Sequence, residues 1–512
     1  MKKFNTTGVC IPSKHYMVNI DEKLRKIEEY INDGDYFVIN RPRQYGKTTT
    51  LYMLKQRLKT NYLVISISFE GIGEVAFQSE ENFSKSFLRL LSNSIRINNK
   101  EIAQFIKDKV NDCYSFQDLS EIITEIIEKS DKEILLFIDE VDKSANNKMF
   151  LNFLGMLRSK YLLREQEEDL SFKSVILAGV YDIKNLKLKI RNDEEIKYNS
   201  PWNIAINFNV NMSFTPKEIE GMLNKYKEEN RIEFNTNEIA QSIFYYTSGY
   251  PFLVSRLCEI IHEDLNKNWN LKNVLRAVKL ILSEKNTMFD DMIKNIENNK
   301  ELSEYIFDIV INGSEKVYNI DNPLIDLGCT FGYFINDNCK VKIANRIIEQ
   351  RMYNYFISKA ELGDMAGYNI KSSFIDGSGL NIEKILRRFQ QFIKENYSSY
   401  DVDFLERQGR LIFLAFIRPI INGIGFDFKE VQISEEKRLD VVITYNNNKY
   451  IIELKIWRGE NYHKKGLLQL SDYLNINGLD KGYLLVFNFN KNKEYKEEKI
   501  IVDSKEIYTV WT

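Results

Sequence analysis

Two groups of residues in this chain could do chemistry. The first is split along the sequence. Asn40-Arg41-Pro42-Arg43-Gln44-Tyr45-Gly46-Lys47-Thr48 sits between a short apolar run, Tyr36-Phe37-Val38-Ile39, and a helical pattern that starts at Lys47. A helix start that follows a strand presents free N–H groups and a positive dipole end to an anion. Gly46 permits close backbone approach, Lys47 can reach the β- and γ-phosphates of a nucleotide, and the Thr48 hydroxyl can bind Mg²⁺. The usual phosphate-loop pattern has glycine where this chain has Arg41, so the loop alone also fits an ordinary strand-to-helix turn with a basic rim. Downstream, Ile134-Leu135-Leu136-Phe137-Ile138 is a continuous apolar run that ends in Asp139-Glu140-Val141-Asp142. A buried strand ending in two carboxylates supplies what the loop lacks. Asp139 would hold Mg²⁺, directly or through water, and Glu140 would polarise the attacking water as general base. An acidic cap on the next helix is the plainer account of the same residues.

The second group is compact. Leu439-Asp440-Val441-Val442-Ile443-Thr444-Tyr445 and Tyr450-Ile451-Ile452-Glu453-Leu454-Lys455-Ile456 flank Asn446-Asn447-Asn448-Lys449, which predicts a β-hairpin. Glu453 and Lys455 are two apart on one strand and so share a face. Asp440, at the start of the partner strand, can meet them there. An Asp with a Glu makes a hard oxygen site suited to Mg²⁺ or Mn²⁺, and a lysine beside it can stabilise charge on a phosphate or orient the attacking water. Many strands carry Glu-x-Lys as an exposed ion pair. Here both charges interrupt an apolar run that continues to Trp457, where unpaired burial would be costly.

Several elements must position these residues. Residues 21–33 read as an amphipathic helix with Leu24, Ile27 and Ile31 on one stripe. Apolar runs at 36–40, 62–67, 134–138, 174–179 and, more weakly, 204–208 alternate with helical patterns. That alternation predicts a doubly wound α/β domain whose parallel strands are covered on both faces. Residues 215–300 carry helical periodicity with almost no strand signal, and 301–358 combine a helix, a hairpin around 331–343 and a last helix from near Ala344, which suits a winged helix. Gly363, Gly367, Gly377 and Gly379 mark a linker. With 71 basic against 73 acidic side chains and a net charge of −2, a global nucleic-acid surface is excluded, and such contact must come from a local patch such as Arg458, His463, Lys464 and Lys465. Cys10, Cys113, Cys258, Cys329 and Cys339 form no CxxC pair, and the histidines are His15, His262 and His463 alone. That pattern suits reduced thiols in the cytoplasm and disfavours zinc. No apolar run of about 18 residues predicts a membrane span.

These residues carry a resemblance. Arg41-Pro42-Arg43-Gln44-Tyr45-Gly46-Lys47-Thr48, Ile138-Asp139-Glu140-Val141-Asp142, Ala178-Gly179-Val180-Tyr181-Asp182-Ile183, Ser200-Pro201-Trp202-Asn203-Ile204 and Ser248-Gly249-Tyr250-Pro251 make residues 1 to about 360 similar to the AAA-ATPase-like family of bacterial proteins. These resemble the wider group of signal-transduction ATPases with a Gly-x-Pro lid motif and a winged helix. An Arg-Pro-Arg start in place of the glycine is usual there. The resemblance implies ATP binding and hydrolysis, with Arg43, Gln44, Tyr45, Gly46, Lys47, Thr48, Thr49, Asp139 and Pro251 at the nucleotide, Thr48 and Asp139 at Mg²⁺, and Glu140 as base. Tyr181 or Asp182 could sense the γ-phosphate or serve an ordinary strand-end turn, Arg256 could face the nucleotide or form a surface salt bridge, and Arg191 is an unassigned candidate finger residue. The Asp440…Glu453-x-Lys455 pattern makes residues 370–512 resemble the PD-(D/E)XK nuclease superfamily domain that accompanies this ATPase family, with Leu439 where proline is usual. This implies catalysis by Asp440, Glu453, Lys455 and Gln469 and a metal shell of Asp440, Glu453 and Glu406. Gln469 and Glu406 are carried over by motif position on helices.

The expected architecture is an α/β P-loop ATPase with a parallel sheet, helical lid and winged helix, followed by a restriction-endonuclease-like α/β domain. The expected divisions are an ATPase core at 1–212, a lid at 213–300, a winged helix at 301–362, a linker at 363–379 and a nuclease-like domain at 380–512. The expected function is an ATPase that gates a Mg²⁺- or Mn²⁺-dependent DNA endonuclease in defence against phage or mobile elements. The alternative is an ATP-driven switch whose C-terminal domain binds nucleic acid or protein without cutting. Expected partners are DNA, with RNA left open, a second copy of the chain and a phage or host trigger, with no membrane.

Overall fold

The structure is a computed structural model that describes residues 2–144, 147–180, 202–311, 314–361, 374–376, 379–396, 412–413, 416–417, 427–429, 440–445, 448–490 and 493–512. The chain divides into two compact units, Met1–Asn270 with Asp326–Tyr333, and Leu271–Ile325 with Phe334–Thr512.

In the first unit, α1 (Asp21–Asn32), β1 (Phe37–Asn40), α2 (Lys47–Leu58), β2 (Leu63–Ser68), α3 (Glu80–Ile95), α4 (Lys100–Lys109), α5 (Phe116–Glu128), β3 (Ile134–Asp139), α6 (Lys148–Glu165) and β4 (Ser174–Gly179) build a parallel sheet of order β1-β4-β3-β2. β3 and β4 are buried at every residue, and the pleat sorts their side chains between two cores. Ile134, Leu136 and Ile138 join one core with α3, α5 and α6, while Leu135 and Phe137 join the other with Leu24, Ile27 and Ile31 of α1 and Leu51, Leu54 and Leu58 of α2. Cover on both faces is why these strands read as unbroken apolar runs. Because the strands are parallel, the loop after β1 and the carboxylates that end β3 emerge at the same end of the sheet.

The strand expected at 204–208 is reduced to one parallel bridge between Phe37 and Ile206, with the Ile206 N–H donating to Tyr36 O at 2.9 Å. Just before it, Trp202 is fully buried and stacks on Tyr36 at 5.8 Å, and the Ala205 N–H turns back to Trp202 O.

The helices α7 (Pro216–Asn230), α8 (Thr236–Thr247) and α9 (Pro251–Glu263) follow. Thr215 and Glu218 form a capping box around Pro216, satisfying N–H groups that the first turn leaves free. Gly249, at φ +74°, passes so close to Phe214 that a Cβ would stand 1.9 Å from its carbonyl oxygen. Only glycine fits, and this close pass sets where α9 begins.

The second unit holds α10 (Leu271–Ser283), α11 (Thr287–Asn298) and α12 (Lys300–Val310), then α13 (Pro323–Thr330), which runs across the division. The antiparallel hairpin β5 (Phe334–Asp337) and β6 (Lys340–Ile343) and the helix α14 (Arg346–Glu361) come next. After a two-residue ribbon, β7 (Ile375–Asp376) with β8 (Gly379–Leu380), and α15 (Ile382–Asn396), a mixed sheet forms from β9 (Asp427–Lys429), β10 (Asp440–Tyr445), β11 (Asn448–Ile456), β12 (Lys481–Phe487), β13 (Glu497–Val502) and β14 (Lys505–Trp511). Its order is β13-β14-β12-β11-β10-β9, with β11, β12 and β14 parallel. The hairpin expected from the Asn-rich turn is β10–β11. Helix α16 (Glu460–Ile476) connects β11 to β12 and buries Leu467, Leu470 and Leu474 in the core beneath the sheet. No described helix is long and apolar enough to cross a membrane.

Candidate active sites

The phosphate loop is built around the start of α2. Gly46 caps the helix at φ +79°, with open space where a Cβ would stand, so nothing obstructs a ligand at N–H groups that have no helical partner. Lys47 is buried, and its ammonium donates to Arg41 O at 2.8 Å and Pro42 O at 2.9 Å. Burial lowers its pKa, while Asp142, Glu140 and Asp139 pull the other way. Exchanging two neutral carbonyls for phosphate oxygens would strengthen both bonds.

Arg41 explains how the loop does without its usual glycine. Its guanidinium donates to Asn40 O and Val210 O, each at 2.8 Å, and lies 5.1 Å over the Phe208 ring. The side chain fastens the mouth of the loop to segment 208–210, and its backbone N–H donates to Gly179 O at 3.1 Å.

The rest of the loop is held from three directions. Tyr45 meets Tyr250 edge to face at 4.7 Å, and the Tyr250 hydroxyl donates to Arg43 O at 2.5 Å. Pro251, buried in the first turn of α9, is thereby tied to the loop through its neighbour. Gly332, at φ +76°, presses on Pro42, where a Cβ would stand 2.5 Å from Cγ. The Thr49 hydroxyl accepts the Cys10 N–H at 3.1 Å, and Gln44 adopts a left-handed φ of +56°. Sequence reasoning misses Tyr250, Gly332 and Cys10. Tyr250 lies inside the lid motif and could have been found, whereas no local pattern ties Gly332 or Cys10 to the loop.

Facing the loop, the Thr48 hydroxyl donates to Asp139 Oδ2 at 2.6 Å. A hydroxyl and a carboxylate in contact at the end of a helix can both turn to one divalent cation, so this pair fits a Mg²⁺-nucleotide. Glu140 follows at φ +57°, a conformation that costs a non-glycine residue roughly 1–3 kcal/mol and gathers at functional sites. Its N–H donates to Asp139 Oδ1 at 3.0 Å. Burial and then the charge of Asp139 raise its pKa, against the pull of Lys47, and a raised carboxylate is a stronger base. Asp142 is structural: Oδ1 accepts the Val180 N–H at 2.6 Å and leaves no room for a Cβ at Gly179. Arg256 pairs with Glu259 at 2.7 Å on its own helix. Tyr181, Asp182 and Arg191 lie outside the described residues.

In the second unit, the β10–β11 register sets Asp440 directly opposite Glu453. The side chain of Asp440 and the whole of Glu406 lie outside the described residues. Glu453 is buried in the middle of β11, and Lys455 reaches it at 2.7 Å. The Lys455 ammonium also donates to Gln469 Oε1 on α16 at 3.2 Å. Glu453, Lys455 and Gln469 are thus gathered as expected, and the buried Glu453 carboxylate opposite the Asp440 position fits a hard divalent cation. His463 differs from its sequence reading as a phosphate contact. Its ring packs between Trp457 and Trp511, at 5.6 and 5.1 Å, and burial lowers its pKa.

Comparison with known proteins gives two family-level matches along the chain. The family model of the AAA-like domain matches residues 5–328. The chain belongs to the AAA-like domain family. In this AAA-like protein a second match, to the PD-(D/E)XK nuclease superfamily, covers residues 422–499, which include Asp440, Glu453, Lys455 and Gln469. The AAA-like protein is also similar to a WD repeat-containing protein of Synechocystis, 22% identical over 302 residues. That alignment covers 57% of this chain and spans 24% of the relative's length. Among solved structures, a Walker-type ATPase of Pyrococcus abyssi aligns at 14% identity and a TM-score of 0.46, covering 68% of this chain and 99% of that one. The Thermotoga maritima RuvB Holliday junction branch migration motor aligns at 14% identity and a TM-score of 0.32, covering 64% and 91%.

Proposed function

We propose that this AAA-like protein hydrolyses ATP and uses its nucleotide state to gate a metal-dependent DNA endonuclease. Gating rests on one observation. The phosphate loop is packed against Gly332 at Pro42 and held by Tyr250 at Arg43, and Gly332 is followed directly by Tyr333 and β5. A loop that reshapes around a nucleotide must move these contacts, because neither the missing Cβ at Gly332 nor the short hydroxyl bond leaves slack. The chain beyond Tyr333 would receive that movement.

The residues divide the work as follows. Lys47 exchanges its carbonyl partners for phosphate oxygens, Thr48 and Asp139 hold Mg²⁺, and Glu140 takes the proton of the attacking water. Mg²⁺ supplies charge neutralisation at the β- and γ-phosphates. At the second site Asp440 and Glu453 hold Mg²⁺ or Mn²⁺, which supplies a Lewis acid, and Lys455 stabilises the charge that builds on the cleaved phosphate. Coupling an ATPase to a nuclease suits destruction of incoming DNA, and we extend the proposal to defence against phage or mobile elements. Plasmid and linear DNA incubated with Mg²⁺ or Mn²⁺, with and without ATP, beside an Asp440→Ala control, tests the reading. Cleavage that needs Asp440 and responds to ATP supports it. ATP turnover with no cleavage under either metal would leave a switch that does not cut.

A further inference from the structure

We propose that Tyr462 and Gly466 are positioning residues for Lys455, forming with Gln469 a seat on one face of α16 that fixes where the ammonium stands. The catalytic consequence rests on the nuclease reading, whereas the seat itself rests on geometry. Positions 462, 466 and 469 are spaced i, i+4, i+7 and therefore lie on one helix face. That face meets Lys455 at three levels. The Gln469 Oε1 accepts from the ammonium at 3.2 Å. Gly466 lies against the stem, where a Cβ would stand 3.3 Å from Cε, 3.7 Å from Cγ and 3.9 Å from Cδ. The Tyr462 ring centre is 5.9 Å from the ammonium and 5.9 Å from the Arg458 guanidinium, within the range of cation–π attraction.

Gly466 is otherwise hard to explain. It is buried inside a 17-residue helix, it has no positive φ, and glycine there lowers stability relative to alanine. The lysine stem supplies the reason. Lysine is a compact charge on a flexible stem, and Glu453 is its partner at 2.7 Å. When a metal draws Glu453 away and that ion pair loosens, Lys455 can still act on the phosphate only if something else keeps its place. The acceptor, the flat glycine surface and the ring on α16 provide the hold.

The test uses the full chain and four variants, Gly466→Ala, Gly466→Leu, Tyr462→Ala and Tyr462→Phe. Alanine is a better helix former than glycine, so the melting temperature of Gly466→Ala should hold or rise, whereas leucine overfills a buried position and should lower it, so both readouts, cleavage and labelling, are taken well below the unfolding transition. DNA cleavage should fall about 10-fold for Gly466→Ala and about 100-fold for Gly466→Leu, as misplacement by up to an ångström implies. In Gly466→Ala, a glycine with a purely structural role would lose stability and cleavage together. Tyr462→Phe should keep the rate and Tyr462→Ala should lose it. Labelling of Lys455 by an amine-reactive ester, read by peptide mass spectrometry, supplies a measure independent of activity. It should rise several-fold in Gly466→Leu and Tyr462→Ala. Unchanged labelling in both overturns the seat. Raised labelling with unchanged cleavage overturns its role in positioning for catalysis. Absence of cleavage by the wild type defeats the nuclease reading alone, and labelling still decides the seat.

Discussion

The two sites hold buried charge in opposite ways. In the nucleotide site cation and carboxylate are kept on neutral partners: Lys47 on the carbonyls of Arg41 and Pro42, Asp139 on the Thr48 hydroxyl. In the nuclease-like site they are joined directly, Lys455 on Glu453 at 2.7 Å. Neutral partners yield readily to a highly charged ligand, because charge-assisted bonds replace ordinary ones. A direct ion pair must be broken or shared before its carboxylate can take a metal. One site is set to receive its ligand, and the other holds its own reactive groups against each other. The chain path differs too. Among the described residues, the first site collects residues from the β1–α2 loop, β3, the start of α9 and segment 326–333, whereas the second draws on one hairpin and one helix.

The sharpest test of this contrast is Lys455→Met. Loss of the ammonium should cut DNA cleavage by about 10²–10³-fold, the usual scale for removing a charge stabiliser. If the ion pair competes with metal, the same change should leave Mn²⁺ affinity intact or tighten it several-fold, measured by calorimetry on the full chain. A drop in Mn²⁺ affinity would mean that Lys455 organises Glu453 for the metal, and the contrast would collapse.

The corresponding change at the first site is Glu140→Gln. It should lower ATP turnover by about 10²-fold or more, as loss of a general base does, while ATP binding persists because Lys47, Thr48 and Asp139 are untouched. The sign of the pH dependence follows from the raised pKa of Glu140. The base works only when ionised, so turnover should fall on acidification at a pH above the ordinary glutamate value of about 4.3. That acid limb should vanish in Glu140→Gln. A limb that survives would belong to another group.

Much of the nucleotide site is legible because its determinants are local. Gly46-Lys47-Thr48 follows an apolar run, and β3 announces its burial by lacking alternation. The Asp440–Glu453 pairing is legible too, since a short turn fixes the hairpin register. What lies between distant segments is not. The Phe214 backbone that demands Gly249, the Pro42 ring that demands Gly332 and the Cys10 amide on Thr49 depend on how the chain returns to the loop. The run at 204–208 shows the reverse failure. Its composition is right for a strand, yet its pairing is one bridge, Ile206 to Phe37. Gly249→Ala tests such a long-range demand directly. With a Cβ 1.9 Å from Phe214 O and a left-handed φ, the first unit should lose about 3 kcal/mol or more, read as a fall in its unfolding midpoint. A loss below about 1 kcal/mol would mean that the chain around Phe214 can shift and that Gly249 does not set the start of α9.

Arg41→Gly makes the finest distinction, because it restores the residue that phosphate loops usually have. If the loop needed a glycine for its shape, the change would be neutral or favourable. The geometry argues otherwise. The Arg41 guanidinium holds Asn40 O and Val210 O and covers Phe208, so its removal leaves a part-buried carbonyl without its charged donor and adds chain freedom at the mouth of the loop. The expected loss is about 1–3 kcal/mol. Turnover should change less than in Glu140→Gln, since Lys47, Thr48 and Asp139 keep their contacts. Because Lys47 rests on the Arg41 carbonyl, which glycine retains, the effect should appear chiefly as a lower melting temperature that saturating ATP partly restores. A variant as stable as the wild type would show that segment 208–210 holds the loop without this guanidinium, and Arg41 would then need another explanation.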